Sequence, residues 1–292
     1  MIAQHADKFF TWFSSSVGSH LHFHPWVLCS IPCVLLIERF YPADGQQPIF
    51  SRGLKNDALW FLIEGIQVVI VTLYVEFLEE MYHAWFSWLT FSRIASLPST
   101  VHFVWGVLLS DFLGWLHHWI RHKVPVFWKF HAVHHSQREM NVFTDQRYHI
   151  MEYFVARTIT TFPMLMLGVG SPAILSFNIF HRCYTKFYHG NIRANLGPLR
   201  YVLVTPQSHR VHHSIESRHH DKNFGVLFSV WDRLFGTLYE PADEYPKVGL
   251  PESEFPAELN SGKYAPVRTL LMQLIYPFRA LLAPSKTQRN PE

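Results

Sequence analysis

The stretch HAVHHSQREM, residues 131–140, sets histidines at 131, 134 and 135, and HRVHHSIESR, residues 209–218, repeats that spacing at His209, His212 and His213. On a helix, positions three and four apart share a face, so each trio can converge on one point from a single turn. A related pattern, H-x-x-x-H, lies in HHWIRH (117–122) and offers His118 and His122. Neutral imidazole is a good ligand for iron, zinc, copper and nickel. These eight side chains suit two metal ions with four nitrogens each. With 20 histidines in 292 residues, two H-x-x-H-H matches arise in well under about a hundredth of shuffled chains. Taken singly, His5, His83 and His102 read as surface or packing residues.

Composition bounds what carries such a site. Hydrophobic residues make up 49% of the chain, with 25 Phe, 12 Tyr and 10 Trp, and the formal charge is only +3. No basic field argues for nucleic acid. The apolar share leans toward a membrane protein. MIAQHADKFF (1–10) lacks a positive region leading into an apolar one, so no signal peptide is expected. Cys29, Cys33 and Cys183 sit in apolar or aromatic stretches, and buried thiols without a disulfide framework are expected.

Four apolar regions are candidate membrane spans: 25–37, which is short; 58–78; 101–120, with Asp111 near its middle; and 153–180, interrupted at Pro163, Gly168, Gly170 and Pro172. The last fits either a bent span or a hairpin. If both histidine repeats share one site they lie on one side of the membrane, which requires the hairpin. Positive charge agrees with this arrangement. Arg39, Arg52 and Lys55, then Arg121, Lys123, Lys129, Arg138 and Arg147, flank the histidine side, against Arg93 and Lys8 on the other. The positive-inside rule therefore puts the repeats in the cytoplasm. HLHFH (20–24) falls on the opposite side and reads as interfacial, as does 81–97. The expected fold is all-α, an integral membrane helical bundle with a cytoplasmic histidine-rich di-metal cap. Its parts are an N-terminal region with a marginal span (1–57), the metal-binding membrane domain (58–241) and a C-terminal region (242–292). In that last region Pro241, Pro246, Pro251, Pro256 and Pro266 predict an extended surface segment, and 267–284 an interfacial helix interrupted at Pro277.

Three polar residues are expected to orient ligands. Asp111 lies seven residues before His118 on the same helical face and could accept that ring's other N–H; a salt bridge to a neighbouring span is the alternative. Asp221 and Asn223 follow the last repeat and could hold its helix or its histidines. WDRLFGT (231–237) reads as packing.

The ordered set of boxes at 118–122, 131–135 and 209–213 resembles the fatty acid hydroxylase / sterol desaturase superfamily of membrane di-iron oxygenases. DFLGWLHHWIRH (111–122), HAVHHSQREMNVFTDQRYHIMEY (131–153), HGNIRANLGPLRYVLVTPQSHRVHHS (189–214) and DKNFGVLFSVWDRLFGTLYEP (221–241) carry the same resemblance. It implies two further ligands, His189 and His149, although Ile150 stands where a proline commonly follows the latter. Arg193 departs from relatives with a histidine there, which favours the sterol-desaturase-like branch. It also implies two iron ions, O2 as co-substrate, and hydroxylation or desaturation of a lipid of sterol, fatty acyl or alkylglycerol type. The setting would be the bacterial inner membrane or the endoplasmic reticulum. Electrons would come from a separate reductase, ferredoxin or cytochrome, since neither G-x-G-x-x-G after a strand nor C-x-x-C-H is found. Two rival readings are a zinc-dependent membrane lipid hydrolase, weakened by the missing H-E-x-x-H, and a non-catalytic metal-binding, sterol-sensing protein.

Overall fold

The computed structural model describes residues 25–282, apart from 96, 169–171, 252–254, 256–261 and 263. HLHFH and His5 lie outside the described residues. Among these the chain is helical, with only isolated bridges such as Leu203 to Phe228. The main helices are α1 (Pro25–Phe40), α2 (Arg52–Trp85), α3 (Ser99–Lys123), α4 (Pro125–His135), α5 (Ile150–Met166), α6 (Pro172–His189), α7 (Pro206–His212) and α8 (Ala265–Leu282).

α2 and α3 are long and apolar enough to cross a membrane. Their polarity is inverted relative to a soluble helix. On α2, Leu62, Ile66, Ile70, Leu73 and Phe77 face outward, while Glu64 and Gln67 are buried. Glu64 is accommodated because Tyr153 on α5 donates its hydroxyl to it. α2 starts at Ser51, whose hydroxyl accepts the Leu54 N–H at 3.1 Å. α3 ends at Val124, which stays extended before Pro125, and the chain turns at once into α4. The 153–180 region forms two helices: α5 stops at Met166, Gly168 takes φ +64°, and α6 begins at Pro172. Pro163 is carried inside α5. The 81–97 region continues α2 to Trp85, then makes single turns at Ser87–Leu89 and Ser92–Ala95, with Trp85, Trp88 and Phe91 exposed.

Two apolar clusters lock the helices. Trp60 on α2, Ala132 and Val133 on α4, and Leu270 on α8 pack with Phe255. Val34 on α1 and Leu54 on α2 pack with Val142 and Ile192. Between them the fully buried Asp57 accepts from Gln137 (2.5 Å), Asn141 (2.9 Å) and Arg147 (2.7 Å), so a residue at the start of α2 pins the whole loop after α4.

Three expectations are corrected. Cys29 and Cys33 are exposed on α1 rather than buried; all three cysteines are free. α8 runs unbroken through Pro277 and packs against α2 and α4. The described residues of 241–251 form no helix, but they are not a bare surface strip. Val248 and Phe255 are buried, and the carbonyls of Pro241, Glu244 and Pro246 accept bonds from Gln207 and Arg210 of α7.

Candidate metal centre

The ends of α3, α4, α6 and α7 meet at one point, and each delivers histidine there. His118 and His122 leave the last turns of α3. His131, His134 and His135 end α4, and His189 ends α6. α7 is short, but Thr205 caps it and exchanges bonds with Ser208, fixing its first turn just before His209. These nine imidazoles form two adjoining groups, within each of which the ligand atoms lie no more than 4.8 Å apart: His118, His122, His131, His135 and His212; and His134, His189, His209 and His213.

The division corrects the expectation of four nitrogens each, and of each repeat converging on one point. Every i,i+4 pair stays together (118/122, 131/135, 209/213), while the i+3 member crosses to the other group. Helix geometry explains this, since residues i+3 and i+4 point about 100° apart around the axis. Each H-x-x-H-H box is thus a bridge between two sites. The groups touch where His135 stacks on His213, with centroids 4.3 Å apart.

The donor set fits metal ions. His118 Nδ1 donates to the Phe224 carbonyl (2.9 Å), His212 Nδ1 to Lys222 (2.7 Å) and His189 Nδ1 to Thr185 (2.9 Å). Each bond leaves the Nε2 lone pair aimed inward. Nε2 of His118, His122 and His212 is buried with no hydrogen-bond partner. In the second group His189 Nε2 faces His134 Nε2 at 3.2 Å and His209 Nε2 at 2.8 Å, and His209 Nε2 faces that of His213 at 3.1 Å. Nitrogens about 3 Å apart suit neighbours on a coordination sphere with metal–nitrogen bonds near 2.1 Å. Burial pushes the imidazoles of His131, His134, His135, His209 and His213 well below the ordinary histidine range, and that of His212 to about 4. All six are therefore neutral at pH 7, which is the form that ligates.

His149 stands outside both groups. It caps α5, its Nδ1 accepting the Met151 N–H at 3.2 Å, and its Nε2 reaches the Leu274 carbonyl at 3.2 Å. Both ring nitrogens are spent on structure. Asp111 does not touch His118. It accepts the amides of Leu227 (3.0 Å) and Phe228 (3.2 Å) and the Trp231 indole (2.7 Å), anchoring the loop whose Phe224 carbonyl holds His118. Asn223 donates to the Ser208 carbonyl of α7 at 2.9 Å, while Asp221 pairs with Lys123 at 2.5 Å and reaches no imidazole.

Sequence reasoning missed two carboxylates. Glu152 accepts His131 Nδ1 at 2.6 Å and Arg121 Nη1 at 2.8 Å, and its place three residues after the capping His149 was the available signal. Asp232, in the segment read as packing, accepts the amides of Phe224 (2.8 Å) and Gly225 (2.7 Å) and the Trp115 indole (3.0 Å). Above the imidazoles a cavity of about 360 Å³ opens between α3, α5 and α6. His118, His131, His134, His189 and His209 form its floor, and Val75, Met164, Leu165 and Phe177 line it further out.

Long apolar helices converging on two buried imidazole groups, beneath a cavity between helices, define a class of helical protein that could hold a pair of metal ions. Residues 103–237 match the fatty acid hydroxylase family model, and this histidine-bearing region belongs to that family. Ornithine lipid hydroxylase OlsE of Rhizobium tropici is 28% identical over 144 residues, covering 49% of this chain and 44% of its own length. Alkylglycerol monooxygenase of Homo sapiens is 29% identical over 205 residues, covering 68% of this chain and 44% of its own. Cholesterol 25-hydroxylase of Homo sapiens is 26% identical over 138 residues, 47% of this chain and 51% of its own. The chain spans about half the length of these relatives. No solved structure matches it.

Proposed function

We propose that this protein is a membrane-bound, O2-dependent lipid hydroxylase or desaturase with two irons held by nine histidines. The observation that carries the reading is the pair of adjoining imidazole groups opening onto a cavity between apolar helices. His118, His122, His131, His135 and His212 would hold one iron, and His134, His189, His209 and His213 the other. Iron bound there would supply the redox chemistry for O2 reduction and oxidation of an unactivated C–H bond. The chain's own task is positional. Glu152 and the carbonyls of Phe224, Lys222 and Thr185 fix the ligand rings. The helices around the cavity exclude water and set which substrate carbon reaches the floor. Names of the relatives support a lipid substrate. Whether an alcohol or an alkene results depends on sub-ångström placement of that carbon. A separate reductase, ferredoxin or cytochrome would deliver the electrons.

Outward-facing apolar side chains on α2 and α3 support a membrane setting. A cytoplasmic metal centre is supported by Arg39, Arg52, Lys55, Lys123 and Arg138, all exposed at the histidine end. Arg121 and Arg147 are buried in ion pairs and carry no weight there.

The test is metal analysis and Mössbauer spectroscopy on protein from iron-57-grown cells, beside His134→Ala, followed by O2- and reductant-dependent turnover of candidate lipids. About two coupled irons per chain, disrupted in the variant, supports the reading. Zinc without iron in fresh membranes, with hydrolysis that ignores O2, refutes it in favour of a hydrolase; iron without turnover favours a sensor.

A further inference from the structure

Between the imidazole floor and the apolar outer wall, Arg157 of α5 and Arg182 of α6 line the cavity. Among the described residues Arg157 has neither a hydrogen bond nor an ion pair. Arg182 is held more loosely, with Glu64 3.9 Å away across a carboxylate oxygen that already accepts the Tyr153 hydroxyl. The neighbouring cations are matched: Arg121 by Glu152 at 2.8 Å, and Lys186 by Asp145 at 3.2 Å. Asp111, which also lines the cavity, is committed to the amides of Leu227 and Phe228 and the Trp231 indole. Glu79 completes the carboxylates on the lining and pairs with neither arginine, so Arg157 is the one lining cation without an ion pair among the described residues.

An unanswered guanidinium among apolar helices is costly, and such a residue marks the place of a partner from outside the chain. Guanidinium groups recognise phosphate and carboxylate with two parallel hydrogen bonds. Arg182 precedes His189 by seven residues on α6, about 10 Å along the axis at 1.5 Å per residue. Arg157 follows Glu152 by five residues on α5, about 7–8 Å. Both guanidiniums thus stand partway along the cavity, with imidazoles on one side and Met164, Leu165 and Phe177 on the other.

We propose that Arg157 and Arg182 bind the anionic group, phosphate or carboxylate, of the lipid substrate, so that the reacting carbon lies near its polar end while the chain runs out along the apolar wall. This rests on the lipid-oxidation reading above. A purely hydrocarbon end, such as the tip of an alkyl chain, would have to pass two guanidinium groups to reach the floor.

The test is equilibrium binding to the metal-loaded full chain in uncharged dodecyl maltoside micelles. Three probes share a sixteen-carbon chain: 1-O-hexadecylglycerol 3-phosphate, 1-O-hexadecylglycerol and palmitate. At least one anionic probe should bind about 10–100-fold more tightly than the neutral one, since charge-assisted bonds are each worth about that factor. Arg157→Gln should cut that preference below about threefold without weakening the neutral probe, and Arg157→Lys should keep most of it. The tighter anionic probe shows which group is recognised. Equal binding of all three to the native chain, or a preference that survives Arg157→Gln, overturns the proposal. So does full displacement by millimolar inorganic phosphate, which would mark a site for free anions. If Arg157→Gln does not fold, Arg182→Gln and the salt dependence of the native preference replace it, and a preference insensitive to both overturns the proposal. Binding needs no turnover, so an anionic preference without oxidised product would sink the oxidation reading and leave this site standing. Turnover without the preference would do the reverse.

Discussion

Glu152→Gln probes how the first imidazole group is held. The carboxylate accepts from His131 Nδ1 at 2.6 Å and from Arg121 Nη1 at 2.8 Å, and its other oxygen takes the His149 amide at 3.2 Å. All three partners are buried. Glutamine preserves the shape of the side chain at the start of α5. What it removes is the charge and one acceptor. His131 and Arg121 share one carboxylate oxygen, so the single carbonyl oxygen of glutamine can serve either that pair or the His149 amide, and its amide N–H then faces the donors left over. Breaking one side of a buried ion pair costs about 3–5 kcal/mol. Arg121 keeps the Tyr148 hydroxyl and the His117 ring and carbonyl as partners, so a loss near 3 kcal/mol is expected. Freeing a ligand ring from its carboxylate lowers metal affinity by about 10–100-fold.

The two costs fall on different readouts. His131 belongs to the five-histidine group only. Equilibrium competition with a chelator, followed by metal analysis, should therefore show one metal leaving the variant at roughly 10–100-fold lower chelator concentration, while the second follows the native curve. Thermal unfolding in detergent reports the stability loss in parallel. Two native-like metal curves would refute the idea that Glu152 orients a ligand. Simultaneous loss of both metals with unfolding would show that the carboxylate holds the fold rather than the ring.

Three further outcomes are expected. His149→Ala should keep the full metal complement and lose about 0.5–2 kcal/mol of stability, the usual worth of an N-cap, because its ring nitrogens bind backbone atoms; metal analysis with thermal unfolding checks both. Asp232→Asn keeps one acceptor where four donors converge, from Phe224, Gly225, Trp115 and Thr237; it should cost about 2–4 kcal/mol and weaken the metal held by His118, read by the same chelator competition. Exposed Cys29 and Cys33 on α1 should react with N-ethylmaleimide but resist a membrane-impermeant sulfonated maleimide in intact vesicles; equal labelling by both would argue against α1 lying in lipid.

The imidazole pattern was readable because its cause is local. Residues four apart on a helix share a face whatever surrounds the helix, so 118/122, 131/135 and 209/213 are visible as pairs in the chain itself. What the spacing could not show is where the i+3 residue goes, since that depends on how α4 and α7 are rotated against each other. His149 and His189 look alike in sequence, each a lone histidine near a box. The first opens a helix and is consumed as its cap, whereas the second closes one and is free to point at its neighbours. Asp111 was correctly expected to need a partner. The partner could not be identified, because the loop that supplies it lies 116 residues further along the chain. Arg157, within the 153–180 apolar region, and Arg182, just beyond it, are ordinary residues until α5 and α6 are brought to face one cavity.

The crossed boxes carry a consequence for the chemistry. α4 contributes His131 and His135 to one group and His134 to the other, and α7 contributes His212 to the first and His209 and His213 to the second. Neither helix can shift without moving ligands in both groups. Glu152 in turn ties α5, one wall of the cavity, to both α3 and α4. The two imidazole groups are therefore fastened to each other and to that wall through the same few side chains, so a substitution at any one of them is expected to be felt at more than one ligand.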